Sequence, residues 1–181
     1  MTWPFPAPHD DGKARHLLRG TTMPNIALPT TEGRDVNFSH LDGWTILFIY
    51  PWTGQPGLAN PPGWDDIPGA HGSTPEAEGF RNAYAEFQLL GYDVFGVSAQ
   101  SAAEQREFAT RAGIPYLLLS DSDFAFADAL DLPSFETGGV RYLKRLTMVV
   151  RNGVIYRVIY PVYEPAGHAR EILKSLSQAR A

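Results

Sequence analysis

The run Trp44-Thr-Ile-Leu-Phe-Ile-Tyr50 constrains this chain more than any other stretch. A strand sends successive side chains to opposite faces, so apolar residues at odd and even positions alike require cover on both sides. Strands of that kind lie inside parallel or mixed sheets flanked by helices. The next segment, Pro51 to Gly72, holds five Pro and five Gly and reads as loop. At roughly 20 residues it exceeds the length at which structureless loops become uncommon, and such loops are often functional. From Thr74 to Leu90 a helix is predicted, with Phe80, Tyr84, Phe87 and Leu90 at helical spacing and Gly91 as its stop.

The strand–loop–helix pattern then repeats in shorter form. Asp93–Ser98 is a second buried strand, Ala102–Ala112 a helix closed by Gly113, and Tyr116–Leu119 a third strand. A short helix near Phe124–Leu130 follows. Leu143–Val150 and Val154–Tyr160 are predicted to pair through Asn152-Gly153, the strongest two-residue hairpin signal. Glu164–Leu176 closes as an amphipathic helix. Upstream, Ile26–Leu28 and Val36–Phe38 flank the turn Thr31–Asp35, an N-terminal β-hairpin. Residues 1–22 read as a Pro-rich arm with a helical turn over Asp11–Arg19, capped by Asp10 or Asp11. The expected fold is α/β: a mixed central sheet with helices on both faces, in one domain spanning 23–181.

Composition narrows the partners. The 181 residues are 44% hydrophobic and 19% charged, which is globular, and the net charge of -5 leaves no basic run for a nucleic acid. The apolar runs are far shorter than the ~20 residues of a membrane helix. The N-terminus has Pro at positions 4, 6 and 8 and no basic or apolar leader pattern, so no secretory signal is expected and a cytoplasmic location is. There is no cysteine, which excludes thiolate chemistry in this chain as it stands. The five His are scattered without metal-ligand spacing, and no metal or organic cofactor is expected.

A site is expected beyond the carboxyl end of the Trp44–Tyr50 strand, where the following helix presents free N–H groups and a positive dipole end. That helix opens His71-Gly-Ser-Thr-Pro-Glu76. Ser73 with Glu76 fits the capping-box pattern, and on the residues alone Ser73 is a helix cap. Arg145 interrupts the apolar run Leu143–Val150. An unpaired buried Arg is costly, so a carboxylate such as Asp121 or Asp123 is its plain partner. Trp44, Trp52 and Trp64 read as packing groups.

Read in order, "Tyr50-Pro51 … Gly72-Ser73-Thr74 … Gly79-Phe80-Arg81-Asn82" resembles the peroxiredoxins, in the branch of bacterioferritin comigratory proteins. The stretches YPWTGQPG, GWDDIPGAHGST, FGVSAQS and LKRLTMVVRNGVIYRVIYPV continue the resemblance over nearly the whole chain. The resemblance implies a thioredoxin-like fold and reduction of hydroperoxides. It places Ser73 at the peroxidatic Cys position, Arg145 at the Arg that holds the peroxide, and Pro51 at the Pro that shields the site. Ala70 stands where the family has Thr or Ser, with Thr53 as a substitute from the loop, and His71 as an adjacent base. Glu78 stands where some members keep a resolving Cys. The resemblance further implies an external thiol reductant protein and a homodimer.

A serine hydroxyl has neither the acidity nor the oxidation states of a thiol. Two histories fit: a Cys→Ser replacement in a one-Cys enzyme, and natural loss of the thiol. Three functions follow: an inactivated hydroperoxide reductase, a module that binds a small ligand or partner at the old site, and a repurposed enzyme using His71, Ser73 and Arg145. For the last, no carboxylate to orient His71 is identifiable in the sequence.

Overall fold

The structure is a computed structural model that describes residues 3–179. Strand β3 (Trp44–Ile49) is the middle of a five-stranded sheet. It runs parallel to β4 (Tyr92–Ser98), which runs parallel to β5 (Leu117–Ser120). On its other side β3 is antiparallel to β8 (Leu146–Arg151), which pairs antiparallel with β9 (Val154–Ile159).

The two-sided burial expected of β3 is the organising feature. Ile46, Phe48 and Tyr50 pack with Phe80, Phe87 and Phe108 on one face, where α1 (Ser73–Leu89), α2 (Ala102–Ala112) and α4 (Pro165–Ala179) lie. Leu47 and Ile49 point the other way, toward Phe38, Met148 and Phe126 of α3 (Ala125–Ala129). Alternation along one strand thus feeds two separate cores. Phe48 and Phe80 stack at 4.5 Å between centroids and fix α1 against the sheet. A Cβ on Gly79 would sit 3.1 Å from the carbonyl of Ala166, so the missing side chain there lets α1 and α4 approach.

The N-terminal hairpin is present as β1 (Ala27–Pro29) and β2 (Asp35–Asn37). Asn152 and Gly153 turn between β8 and β9 with φ of 48° and 73°, and Asn152 Oδ1 accepts from the N–H of Gly43 at 2.7 Å. The segment Asp11–Arg19 makes hydrogen-bonded turns, and the Asp10 and Asp11 carboxylates accept from the N–H groups of Gly12 and Lys13. Ala14 and Leu17 from that segment are nonetheless buried in the core.

Two expectations are corrected. Leu143–Val150 is not one strand: it breaks at Lys144-Arg145 into the end of β7 (Val140–Leu143) and the start of β8. β7 pairs with β6 (Ser134–Thr137) in a separate hairpin through Gly138-Gly139, both at positive φ. At the break Arg145 turns its guanidinium to the buried carboxyl of Glu76, a partner for a charge that would be costly to bury alone. The second correction concerns the start of α1. Gly72, in the left-handed region at φ 115°, is its N-cap, and no side chain caps it. Ser73 is the first helical residue, and Glu76 faces inward instead of back to the cap. The reciprocal capping box occurs at α2, between Ser101 and Glu104.

Candidate active site

The end of β3, the long loop and the first turn of α1 converge with the Lys144-Arg145 break. Ser73 is buried in the first turn of α1. Its Oγ accepts a hydrogen bond from Arg145 Nη2 at 3.1 Å. The same nitrogen donates to the carbonyls of Ala70 at 3.3 Å and His71 at 3.2 Å. One guanidinium therefore ties the loop just before α1 to the helix start, and holds a full positive charge against the Ser73 oxygen.

The counter-charge is Glu76, not Asp121 or Asp123. Arg145 Nη1 donates to Glu76 Oε1 at 3.2 Å, with Glu76 0% and Arg145 4% exposed. Asp121 instead accepts from the N–H groups of Phe126 and Ala127, and Asp123 from Ala125, so both serve α3. The pair is imperfectly satisfied: Glu76 Oε2 and Arg145 Nε are buried without a partner. Burial pushes the Glu76 carboxyl up to about 7, against the opposing pull of Arg145. Glu76 was absent from the sequence expectation as a site residue. Its signal was its place three residues after Ser73, which puts it on the inward side of the first helical turn.

A second buried group stands close by. His168 Nε2 bonds Thr147 Oγ1 at 2.8 Å. Burial, with the charges of Arg145 and Arg157, pulls the imidazole down to about 4. It is neutral near pH 7, so it adds no second cation behind Arg145.

The other expected site residues are placed as follows. Pro51 is buried where β3 runs into the loop. Thr53 is buried too, but its N–H and hydroxyl both donate to Gln100 Oε1, at 2.9 and 3.1 Å. Its hydroxyl therefore serves a polar network that continues through Gln105 to the Tyr50 hydroxyl, and makes no hydrogen bond to Ser73 or Arg145. His71 contributes its carbonyl, not its ring. The ring stacks on Phe5 at 3.6 Å between centroids and its Nε2 meets Asp65 Oδ1 at 2.7 Å. That aspartate is the orienting carboxylate that the sequence reading lacked, yet the imidazole makes no hydrogen bond to Ser73.

Chemically, the site stabilises negative charge at the Ser73 Oγ position, through helix N–H groups, the dipole end and Arg145. A hydroxyl there stays protonated near neutral pH. A thiol at the same point would be favoured as thiolate.

A mixed sheet of this order, with a buried Arg facing the first turn of the helix after the central strand, defines a thioredoxin-like peroxiredoxin scaffold. The Redoxin family model matches residues 18–174, and the chain belongs to that family. Among relatives, it is 28% identical to a chloroplastic peroxiredoxin Q of Oryza sativa subsp. japonica over 184 residues, covering 97% of this chain and 77% of the relative. It is 28% identical to chloroplastic peroxiredoxin Q of Sedum lineare over 165 residues, covering 91% and 80%. The crystal structure of peroxidoxin BcpB from Mycobacterium tuberculosis superposes with a TM-score of 0.73 at 26% identity, covering 92% of this chain and all of that one. A Cys-to-Ser mutant of Xylella fastidiosa PrxQ shares the fold, with a TM-score of 0.74 at 24% identity over 92% and 99% of the two chains.

Proposed function

We propose that this chain is a hydroperoxide-reductase scaffold that keeps the helix start and the guanidinium of a peroxidatic thiolate site, carries oxygen where the sulfur would be, and has Ala70 in place of the family's hydroxyl residue. In the complete reaction a thiolate attacks the terminal peroxide oxygen. The S–O bond forms as O–O breaks, and the departing alkoxide takes a proton to leave as alcohol or water. The resulting sulfenic acid returns to thiol at the expense of an external dithiol protein, since Glu78 provides no internal resolving thiol. Ser73 can perform none of these steps. The observation that carries the reading is the 3.1 Å bond from Arg145 Nη2 to Ser73 Oγ at the first turn of α1.

The test is Ser73→Cys. The expected outcome is a thiol pKa clearly below the unperturbed ~8.5 and rapid conversion to sulfenic acid by hydrogen peroxide. The parent protein shows no turnover with the same reductant. A thiol that titrates near ~8.5 and reacts no faster than free cysteine would refute the reading. A repurposed acyl-transfer function finds less support, because the His71 ring is committed to Asp65 and Phe5. The same proposal carries a homodimer and a cytoplasmic location, checked by sedimentation and by fractionation of the source cells.

A further inference from the structure

The Pro-rich arm and the His71 ring take no part in the hydrogen bonds of Ser73 and Arg145, and they meet each other instead. Trp3, Phe5 and Pro8 are half-buried while Pro4, Pro6 and Ala7 are exposed, so the arm lays one side against the protein. It lies on Gly69 to Gly72, the residues that lead into α1. Gly69 donates its N–H to the Pro6 carbonyl at 3.1 Å. Phe5 stacks on the His71 ring at 3.6 Å between centroids, with the planes 10° apart. Trp3 meets Phe5 edge to face at 5.7 Å. Asp65 Oδ1 holds the other end of this stack through His71 Nε2 at 2.7 Å.

Two glycines form the seat. A Cβ on Gly69 would stand 3.0 Å from Pro8 Cβ, and one on Gly72 would stand 3.2 Å from the Trp3 indole. A side chain at either position would push the arm away. The next residue is Ser73, 3% exposed, with Arg145 4% exposed behind it. Three of the six residues from Trp3 to Pro8 are Pro. They leave no N–H to satisfy, and their fixed φ lowers the entropy lost when the arm is ordered. Among the described residues, one main-chain hydrogen bond and a few ring contacts hold the arm. A segment held so lightly opens locally far more often than the core unfolds.

We propose that Trp3–Pro8 is a strap that sets the size of what reaches position 73, with the Phe5–His71 stack as its latch. Molecules of a few atoms, hydrogen peroxide among them, pass by small fluctuations. Bulky hydroperoxides enter only when the strap lifts. The inference rests on position 73 as the reacting position of the hydroperoxide reading, but not on peroxide chemistry.

The experiment compares two reagents of one chemistry on the Ser73→Cys protein: iodoacetamide and its N-pyrenyl derivative. In both, the thiolate displaces iodide and a carbon–sulfur bond forms. Rates are taken at a pH where the thiol is ionised and normalised to glutathione, so a thiol of ordinary pKa would sink the hydroperoxide reading and leave this comparison intact. The pyrenyl reagent should be selectively slow on the Ser73→Cys protein. Adding Phe5→Ala should raise its rate about tenfold, the effect of losing one ring stack with its buried area, and leave the iodoacetamide rate as it was. Phe5→Tyr keeps the ring and should restore the slow pyrenyl rate. The second readout needs no thiol. In the Ser73 protein, Phe5→Ala should speed amide hydrogen exchange at Gly69, which bonds to the strap, and leave the amides of β3 unchanged. It decides the matter should the Ser73→Cys protein fail to fold. A pyrenyl rate that matches iodoacetamide on the Ser73→Cys protein would overturn the proposal. So would equal acceleration of both reagents by Phe5→Ala, or Gly69 exchange that Phe5→Ala does not change.

Discussion

Replacing Glu76 by Gln separates the charge of the buried pair from its shape. The amide oxygen can still accept from Arg145 Nη1, so packing and one hydrogen bond are retained. What changes is titration. Glu76 is 0% exposed, one of its oxygens has no partner, and its carboxyl is pushed up from 4.5 to about 7 by burial. The sign follows from which state binds the proton more tightly. The folded protein does, so protonation of Glu76 favours folding: this contribution is complete below pH 4.5 and is lost as pH rises through about 7. At ~1.4 kcal/mol per pH unit the loss amounts to about 3 kcal/mol. Gln cannot ionise and loses nothing. The stability of the Gln variant relative to the parent should therefore rise by about 3 kcal/mol between pH 4.5 and 8. For a chain of this size that is roughly 6 to 12 °C in relative melting temperature. The neighbouring groups do not confuse the comparison, because both proteins share them: Tyr50 and Tyr116 are held neutral by burial, and His168 is pulled down to about 4. Urea unfolding of both proteins at four pH values provides the assay. Parallel profiles would refute the argument. A Gln variant that loses ground as pH rises would show the opposite, a carboxylate held ionised by Arg145.

Gly72→Ala should destabilise by about 2 to 5 kcal/mol, because φ is 115° and the new Cβ would lie 2.5 Å from Pro165 Cγ, as urea unfolding can show. In a Ser73→Cys background the same change should raise the thiol pKa, by moving the helix start off the sulfur. His71→Ala in that background should leave thiol pKa and peroxide rate unaltered, since the ring points to Asp65; a clear slowing would restore His71 as a base. Asn152→Ala should cost about 1 to 2 kcal/mol in thermal unfolding, through the positive φ and the lost bond to Gly43.

The parts of the fold that were legible in the sequence are those in which one local rule acts alone. Trp44–Ile49 had to be a two-sided strand because its apolar residues occupy both parities, and the cores on its two faces confirm the reason. Asn152-Gly153 had to turn because few other pairs accept two positive φ angles in succession. Where two rules competed, local reading gave the wrong answer. Leu143–Val150 looks like one strand by hydrophobicity, but a buried ion pair overrides the ladder at Arg145. Gly138-Gly139 carries a hairpin signal of the same kind as Asn152-Gly153, and it was masked because β6 and β7 are short and only half-buried.

The site illustrates the same competition from the functional side. Ser73 and Glu76 satisfy a capping box on paper, and local energetics favour that box by about 1 kcal/mol. The folded chain gives up the box, because Glu76 supplies the acceptor that the buried Arg145 Nη1 needs, and leaving a buried charged donor unpaired costs about 3 kcal/mol. The larger interaction wins, and α1 is left with an uncapped first turn and an oxygen held under a guanidinium. That outcome is unfavourable for an isolated helix and favourable for an anion at position 73. A helix start that forgoes its own cap so that a charge can sit over its first residue has the polarity a thiolate needs. In this chain that polarity surrounds a hydroxyl, and Ser73→Cys measures how much of it survives.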